Sequence, residues 1–188
     1  MSWTRPVALA APDAPAIYGR IRSESSRGAV SNLWLTLGAD PAGLAAAYSH
    51  YRALMADPAP LTVAQAELVA LVVSATNGCG YCVAHHGPRL SKALGDEAFA
   101  RAVARDYREA NLKARDRVLL DYAVALTCEP SERKLEDVER IREYGFDDLA
   151  LVRATAIVGY YNHINRMVSA LGVELEAGIP PWEYGSQK

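Results

Sequence analysis

Residues 62–88, TVAQAELVALVVSATNGCGYCVAHHGP, constrain this chain more than any other stretch. Thr62 and Gln65 have the spacing of a capping box, in which two side chains satisfy the first free backbone N–H groups of a helix. Leu68, Leu71, Val72 and Ala75 then recur at helical intervals, so the spacing predicts an apolar stripe facing a core. One carboxylate, Glu67, lies near the start of that run. Asn77-Gly78 stops it, because both residues tolerate the left-handed conformation at a helix end. A second helix is predicted from the Cys79-Gly80-Tyr81-Cys82 pair to about Leu94, carrying His85 and His86.

A carboxylate, two thiols and an imidazole within twenty residues are the ingredients of thiol redox chemistry. Cys82 and His86 are four residues apart, one helical turn on the same face, and Cys79 falls nearly on that face seven residues before His86. A position just after a turn puts the cysteines near a helix N-terminus, where free N–H groups and the helix dipole favour a thiolate. An ordinary thiol has a pKa of about 8.5. Lowering it by two units takes roughly 2.7 kcal/mol of preferential stabilisation of the anion. Along one continuous helix Glu67 would lie about 18 Å from Cys79, out of reach. Reversal at Asn77-Gly78 changes this: Glu67 then stands level with His86 to within roughly 4–5 Å along the axes. A carboxylate there would hold the imidazole's tautomer and raise its basicity. The dipole alone favours Cys79 as the nucleophile, and the one-turn spacing to His86 favours Cys82.

The rest of the chain reads as further helices. An irregular arm over 1–13 is punctuated by Pro6 and Pro12. Helices are predicted over 14–27, in the apolar piece 30–37, and over 42–56 behind an Asp40 cap with Pro41 in the first turn. Others follow from Gly95-Asp96 to Tyr107, over 112–127 capped by Asn111, over 135–144, and over 149–171 capped by Asp147 or Asp148. After Gly172 the tail, with Gly178, Pro180-Pro181 and Trp182, reads as extended and surface-lying. No segment reads as a strand, so the fold class is all-α. The organisation predicted is one helical domain over 14–172, its redox core at about 42–126, with the arm before it and a tail over 173–188. The segment from Glu67 to Cys82 echoes that from Asp148 to His163 at constant offset, leaving room for a duplicated helical unit.

Composition bounds the function. The chain has 188 residues, enough for a real core, and 20 basic against 22 acidic residues argue against a broad nucleic-acid surface. The longest apolar run, Leu68 to Val73, is far short of the roughly 20 residues of a membrane span. The opening residues have only a short apolar run, Val7–Ala11, so a cytoplasmic protein is expected, with no nucleic-acid or membrane partner. Three cysteines, Cys79, Cys82 and Cys128, do not make a disulfide scaffold.

The residues Glu67, Cys79, Cys82 and His86 fit the pattern E-x11-C-x-x-C-x3-H. In this the chain resembles the alkylhydroperoxidase AhpD-like proteins of the carboxymuconolactone decarboxylase-like superfamily. The likeness is strongest from Ala42 to about Leu126, and Asn162-x-x-Asn165-Arg166 before Leu171-Gly172-Val173 looks like the peroxidase-related subgroup. The resemblance implies an all-α AhpD-like fold and a thiol-dependent peroxidase. Cys82 would attack a hydroperoxide and become a sulfenic acid, and Cys79 would resolve it as a disulfide. His86 would act as base and Glu67 would orient it, with no cofactor. It further implies a dithiol or lipoyl-type protein reductant and a homo-oligomeric assembly. The chain departs from the pattern in having Tyr81, not histidine, between the cysteines. The decarboxylases proper lack the cysteine pair, which argues against decarboxylation.

Other readings stay open. The pair could serve thiol–disulfide exchange or redox sensing with little peroxidase turnover. It could bind zinc with His86 and a fourth ligand from Glu67, His50 or His85, making a non-enzymatic interaction module. His85, about 100° around the helix from His86, reads as a surface or packing residue, and Tyr81 as a packing residue with its hydroxyl satisfied nearby. Cys128 reads as structural. Asn162, His163, Asn165 and Arg166 read as capping, pairing or interface residues.

Overall fold

The computed structural model describes residues 2–12 and 14–187; positions 1, 13 and 188, within the predicted arm and tail, lie outside the described residues. The chain is all-α, as predicted, with nine α-helices and no strand among the described residues. They are α1 (Ile17–Glu24), α2 (Asn32–Leu37), α3 (Pro41–Met55), α4 (Val63–Thr76) and α5 (Gly80–Leu94), followed by α6 (Glu97–Asp106), α7 (Ala114–Cys128), α8 (Leu135–Glu143) and α9 (Asp148–Leu171). No helix is long and apolar enough to cross a membrane among the described residues.

Local chemistry sets most of the ends. Asp40 accepts from the Gly43 amide, with Pro41 opening α3. Thr62 and Gln65 form the full capping box of α4, and Asp96 and Asp147 cap α6 and α9 through Phe99 N and Ala150 N. Gly78, at φ 70°, makes the left-handed turn that ends α4 and starts α5. The predicted Asn111 cap of α7 is displaced. The Leu112 amide is drawn back to the Ala110 carbonyl at 2.8 Å, so the helix begins at Ala114 behind Lys113, without a side-chain cap.

α4 is the axis of the structure. The sequence predicts an apolar stripe, yet every residue from Gln65 to Thr76 is buried. The reason is tertiary: α5, α6, α7 and α9 all pack against it, so no face is left for solvent. Its polar residues Glu67, Ser74 and Thr76 are therefore interior groups that need partners. The offset echo does not yield a second hairpin: α9 runs unbroken for 24 residues through the positions that correspond to the turn after α4.

The tail is irregular and runs over the surface, but it is anchored where the prediction saw no anchor: Val173, Trp182 and Gln187 are buried. Gln187 donates to the Ala104 and Arg105 carbonyls and accepts from the Tyr107 amide, supplying partners that the end of α6 lacks. Tyr184 donates to the Gly78 carbonyl at 3.0 Å, and Arg101 stacks on Trp182 with the guanidinium carbon 4.3 Å from the ring centre. These contacts strap residues 173–187 along α5. Gly87 is what lets the strap lie flat: a Cβ there would stand 2.3 Å from the Trp182 ring. Gly87→Ala is expected to cost about 1–3 kcal/mol as an overpacking change and to loosen the tail. Denaturant unfolding together with the rate of proteolysis near residue 180 measures both effects; an unchanged midpoint and unchanged cleavage would contradict this packing.

Candidate functional site

The reversal at Gly78 brings Glu67 and His86 together. His86 Nδ1 lies 2.7 Å from Glu67 Oε2, and both side chains are buried, at 5% and 8% exposure. A carboxylate can only accept, so Nδ1 carries the proton and Nε2 is left as the basic nitrogen. Burial is the largest influence on the imidazole and holds its pKa below the usual histidine value, against the upward pull of the Glu67 carboxylate. His86 is therefore neutral at pH 7, the form a base requires. The ring of Tyr161, from α9, stands edge-on to it with centres 4.6 Å apart.

Cys79 is the N-cap residue of α5 and Cys82 sits in its first turn; both are buried, and both are free thiols. They act on each other directly. Cys79 is held below the ordinary thiol range, first by the hydrogen bond from the Cys82 thiol, then by the Cys82 and Tyr81 amides and the Asn165 side chain, against the cost of burial. Cys82 is pushed well above that range, by the Cys79 sulfur and by burial, with Asn165 and Ser74 pulling the other way. The pair therefore gives up one proton readily and the second with difficulty. Asn165 is fixed for this contact: it donates to Ser74 Oγ at 3.2 Å and accepts from Asn77 Nδ2 at 3.0 Å.

A cavity of about 700 Å³ lies over this face of α5. Cys82, His85 and His86 are among the residues of its wall and Cys79 is not. Aromatic rings build much of the remaining wall: Trp34, Tyr48, Tyr51, Tyr160 and Tyr161.

The four residues of the E-x11-C-x-x-C-x3-H pattern thus converge as Glu67–His86 and Cys79–Cys82 on neighbouring turns. His85 is not a surface residue. It is buried, stacked against Tyr81 with ring centres 4.6 Å apart, accepts from Arg27 at Nδ1 and donates to Glu176 at Nε2. Tyr81 has its hydroxyl satisfied, as predicted: it donates to Glu176 Oε1 at 2.7 Å and accepts from the Leu33 amide. Glu176, on the tail strap, also accepts from the Asn32 amide. Burial opposes its ionisation, but the bonds from His85, Tyr81 and Asn32 bring its pKa down to about 2. His50 is exposed and edge-on to Tyr160, and Cys128 is exposed at the end of α7. Among the described residues no three side chains of His, Cys, Asp or Glu gather in a way that could hold a metal ion. The zinc reading therefore has no ligand set in the described residues.

Sequence reasoning missed Glu176, Tyr161, Arg89 and Ser74, and read Asn165 only as a capping, pairing or interface residue. The Asn165 spacing in Asn162-x-x-Asn165 was the one available signal; the others carry no local pattern.

A model of the carboxymuconolactone decarboxylase family matches residues 41–106, which hold all four pattern residues. None of the curated proteins matches the chain. Among solved structures, the chain is similar to the alkylhydroperoxidase AhpD core of a peroxidase-related protein from Ralstonia eutropha JMP134. The identity is 31%, over 95% of this chain and 94% of that one, with a TM-score of 0.86. A peroxidase-related protein from Silicibacter sp. TM1040 is 29% identical over 94% and 95% of the two chains, with a TM-score of 0.82. A debrominase in complex with 2,3,4-tribromopyrrole shares the fold at 19% identity over 93% and 91% of the chains, with a TM-score of 0.78. With the hairpin, the four pattern residues and near full-length likeness in place, the chain belongs to the alkylhydroperoxidase AhpD-like proteins of the carboxymuconolactone decarboxylase superfamily.

Proposed function

We propose that this protein is a thiol-dependent peroxidase that reduces hydroperoxides through Cys82 and Cys79. The observation that carries the reading is a pair of interacting thiols one helical turn before a neutral imidazole whose Nδ1 is tied to a buried carboxylate at 2.7 Å, with Cys82 and His86 in one cavity wall.

The thiol pair gives up its one readily lost proton to His86 Nε2 as a hydroperoxide enters, and Cys82 takes on the charge by passing its own proton across the hydrogen bond to Cys79. The Cys82 thiolate attacks the terminal oxygen; the O–O bond breaks, an S–O bond forms, and the alcohol leaves with the proton returned from His86. Sulfur is oxidised to a sulfenic acid and the peroxide is reduced. Cys79, held below the ordinary thiol range, then attacks Cys82 as thiolate. A disulfide forms, the S–O bond of Cys82 breaks, and the hydroxide leaves as water with the proton that the Cys79 thiol gave up. A dithiol, of the lipoyl type that the family resemblance implies, restores both thiols and is itself oxidised to a disulfide. The low pKa of Cys79 suits it to resolution, and its absence from the cavity wall disfavours it for the first attack. Tyr81 stands where other members have histidine; its hydroxyl is committed to Glu176, so the proton relay here runs through His86 and Glu67 alone. We take the setting to be the reducing cytoplasm and the assembly to be a homo-oligomer, for which exposed Leu149 and Val152, three residues apart on α9, offer an apolar face.

Peroxide consumption with a dithiol donor tests the reading. Cys82→Ser is expected to abolish turnover, Cys79→Ser to stop after one equivalent with an oxidised Cys82, and His86→Ala to slow thiol oxidation by about 100-fold. Unchanged turnover in Cys82→Ser would refute the assignment, and disulfide formation without turnover would point to thiol–disulfide exchange instead.

The coupling of the thiols makes a pH prediction of definite sign. With Cys128 replaced by serine, ultraviolet titration of the thiolate should show one group below the ordinary thiol range and one well above it. Cys82→Ala removes the hydrogen bond that stabilises the Cys79 thiolate, so the remaining pKa rises from its wild-type value. Cys79→Ala removes the anion that opposes Cys82, so the Cys82 pKa falls. Shifts of the opposite sign would contradict the coupling.

A further inference from the structure

Basic groups outnumber acidic ones in the cavity wall: Arg27, Arg52, Arg89 and Lys92 against Glu24 and Glu176. Both carboxylates are already held. Glu24 binds Arg20 and Arg52 and accepts from Tyr48, while Glu176 binds His85, Tyr81 and Asn32. Arg89 differs from the other cations of the wall: Arg27 and Lys92 are exposed, and Arg52 is paired with Glu24. Arg89 is part-buried, donates to the Tyr51 hydroxyl at 3.0 Å, and is in no ion pair among the described residues. The Glu67 carboxylate acts on it at longer range, but that carboxylate is bound to His86. A guanidinium withdrawn from water needs an acceptor of matching shape, and a carboxylate fits it.

A second observation points to the same ligand. The Tyr161 hydroxyl is fully buried and is the sole buried side-chain polar atom with no hydrogen-bond partner among the described residues. Tyr161 is one of the residues of the cavity wall, and its hydroxyl lies close enough to Arg89 to feel its charge. An orphaned buried donor beside an uncommitted cation is half of an anion site. Cys82, His86 and Arg89 rise along one face of α5 at steps of four and three residues, so the backbone positions of Cys82 and Arg89 are about 10 Å apart along the axis. The same wall carries a chain of rings: Trp34–Tyr51 at 5.9 Å, Tyr51–Tyr160 at 6.3 Å and Tyr160–Tyr161 at 5.3 Å between centres. Such a wall favours a flat apolar body.

We propose that the cavity is built for hydroperoxides of aromatic carboxylic acids, with the carboxylate held by Arg89 and the Tyr161 hydroxyl and the peroxide end directed to Cys82. This rests on the peroxidase reading for the reactive end only. The anion site stands on Arg89 and Tyr161.

Calorimetric binding of 4-isopropylbenzoate and of 4-isopropylbenzamide to the reduced protein tests it without turnover. The acid is expected to bind at least tenfold more tightly than the amide and to slow alkylation of Cys82 by iodoacetamide. Arg89→Met should erase the preference, Arg89→Lys should keep part of it, and Tyr161→Phe should weaken acid binding several-fold. Equal affinity of the wild-type protein for acid and amide would overturn the proposal even if Arg89→Met fails to fold, and so would an undiminished preference in a folded Arg89→Met. If the acid site holds while peroxide is not consumed, the peroxidase reading fails and the anion site stands.

Discussion

The Glu67–His86 hydrogen bond is the constraint around which the structure is arranged. Each group alone would be costly to bury, since an unpaired buried charge or polar atom loses its water without return. Joined at 2.7 Å, they are tolerated inside the packing of α4 against α5. The bond requires the two helices to reverse within the three residues Asn77, Gly78 and Cys79, and Gly78 at φ 70° supplies the turn. It also requires α4 to be enclosed, because solvent reaching Glu67 would weaken its hold on the imidazole. Burial by α5, α6, α7 and α9 provides that enclosure. The same reversal places the first turn of α5, and hence both thiols, beside Ser74 and Asn165.

The tail is the second element that shapes the site. Glu176 gathers Tyr81, His85 and the Asn32 amide around one carboxylate, so the residue between the two cysteines is fixed from outside the hairpin. Tyr81 is thereby a structural member of the cavity wall. The strap that delivers Glu176 is held along α5 by Trp182 against Gly87 and by Gln187 at the end of α6. The wall on that side of the cavity is therefore made by residues far apart in sequence, and its polarity is decided by the tail as much as by the helices.

What could be read from the sequence follows from how local the signals are. The capping box at Thr62, the stop at Asn77-Gly78 and the caps at Asp40, Asp96 and Asp147 act within four residues, and each appears where its chemistry predicts. The hairpin, and with it the meeting of Glu67 and His86, followed from those signals and helix rise. Glu176 is 95 residues from Tyr81, and nothing near it marks it as a partner. Proline and glycine made the tail look exposed, but they set its irregular backbone and not its burial, which Trp182 and Gln187 determine. Tyr161 and Arg89 look like ordinary helix residues until the cavity is known. Asn111 misled because its preference for caps competes with the turn that Leu112 makes to Ala110.

The central claim is that the hairpin presents a neutral His86 with its proton on Nδ1, held by Glu67. Nitrogen-detected magnetic resonance of the histidine side chains measures this directly. The account predicts an Nδ1–H tautomer at pH 7 and a pKa below the usual histidine value, which falls further in Glu67→Gln because the carboxylate's stabilisation of the cation is removed. An Nε2–H tautomer, or a pKa above that of an exposed histidine, would contradict it.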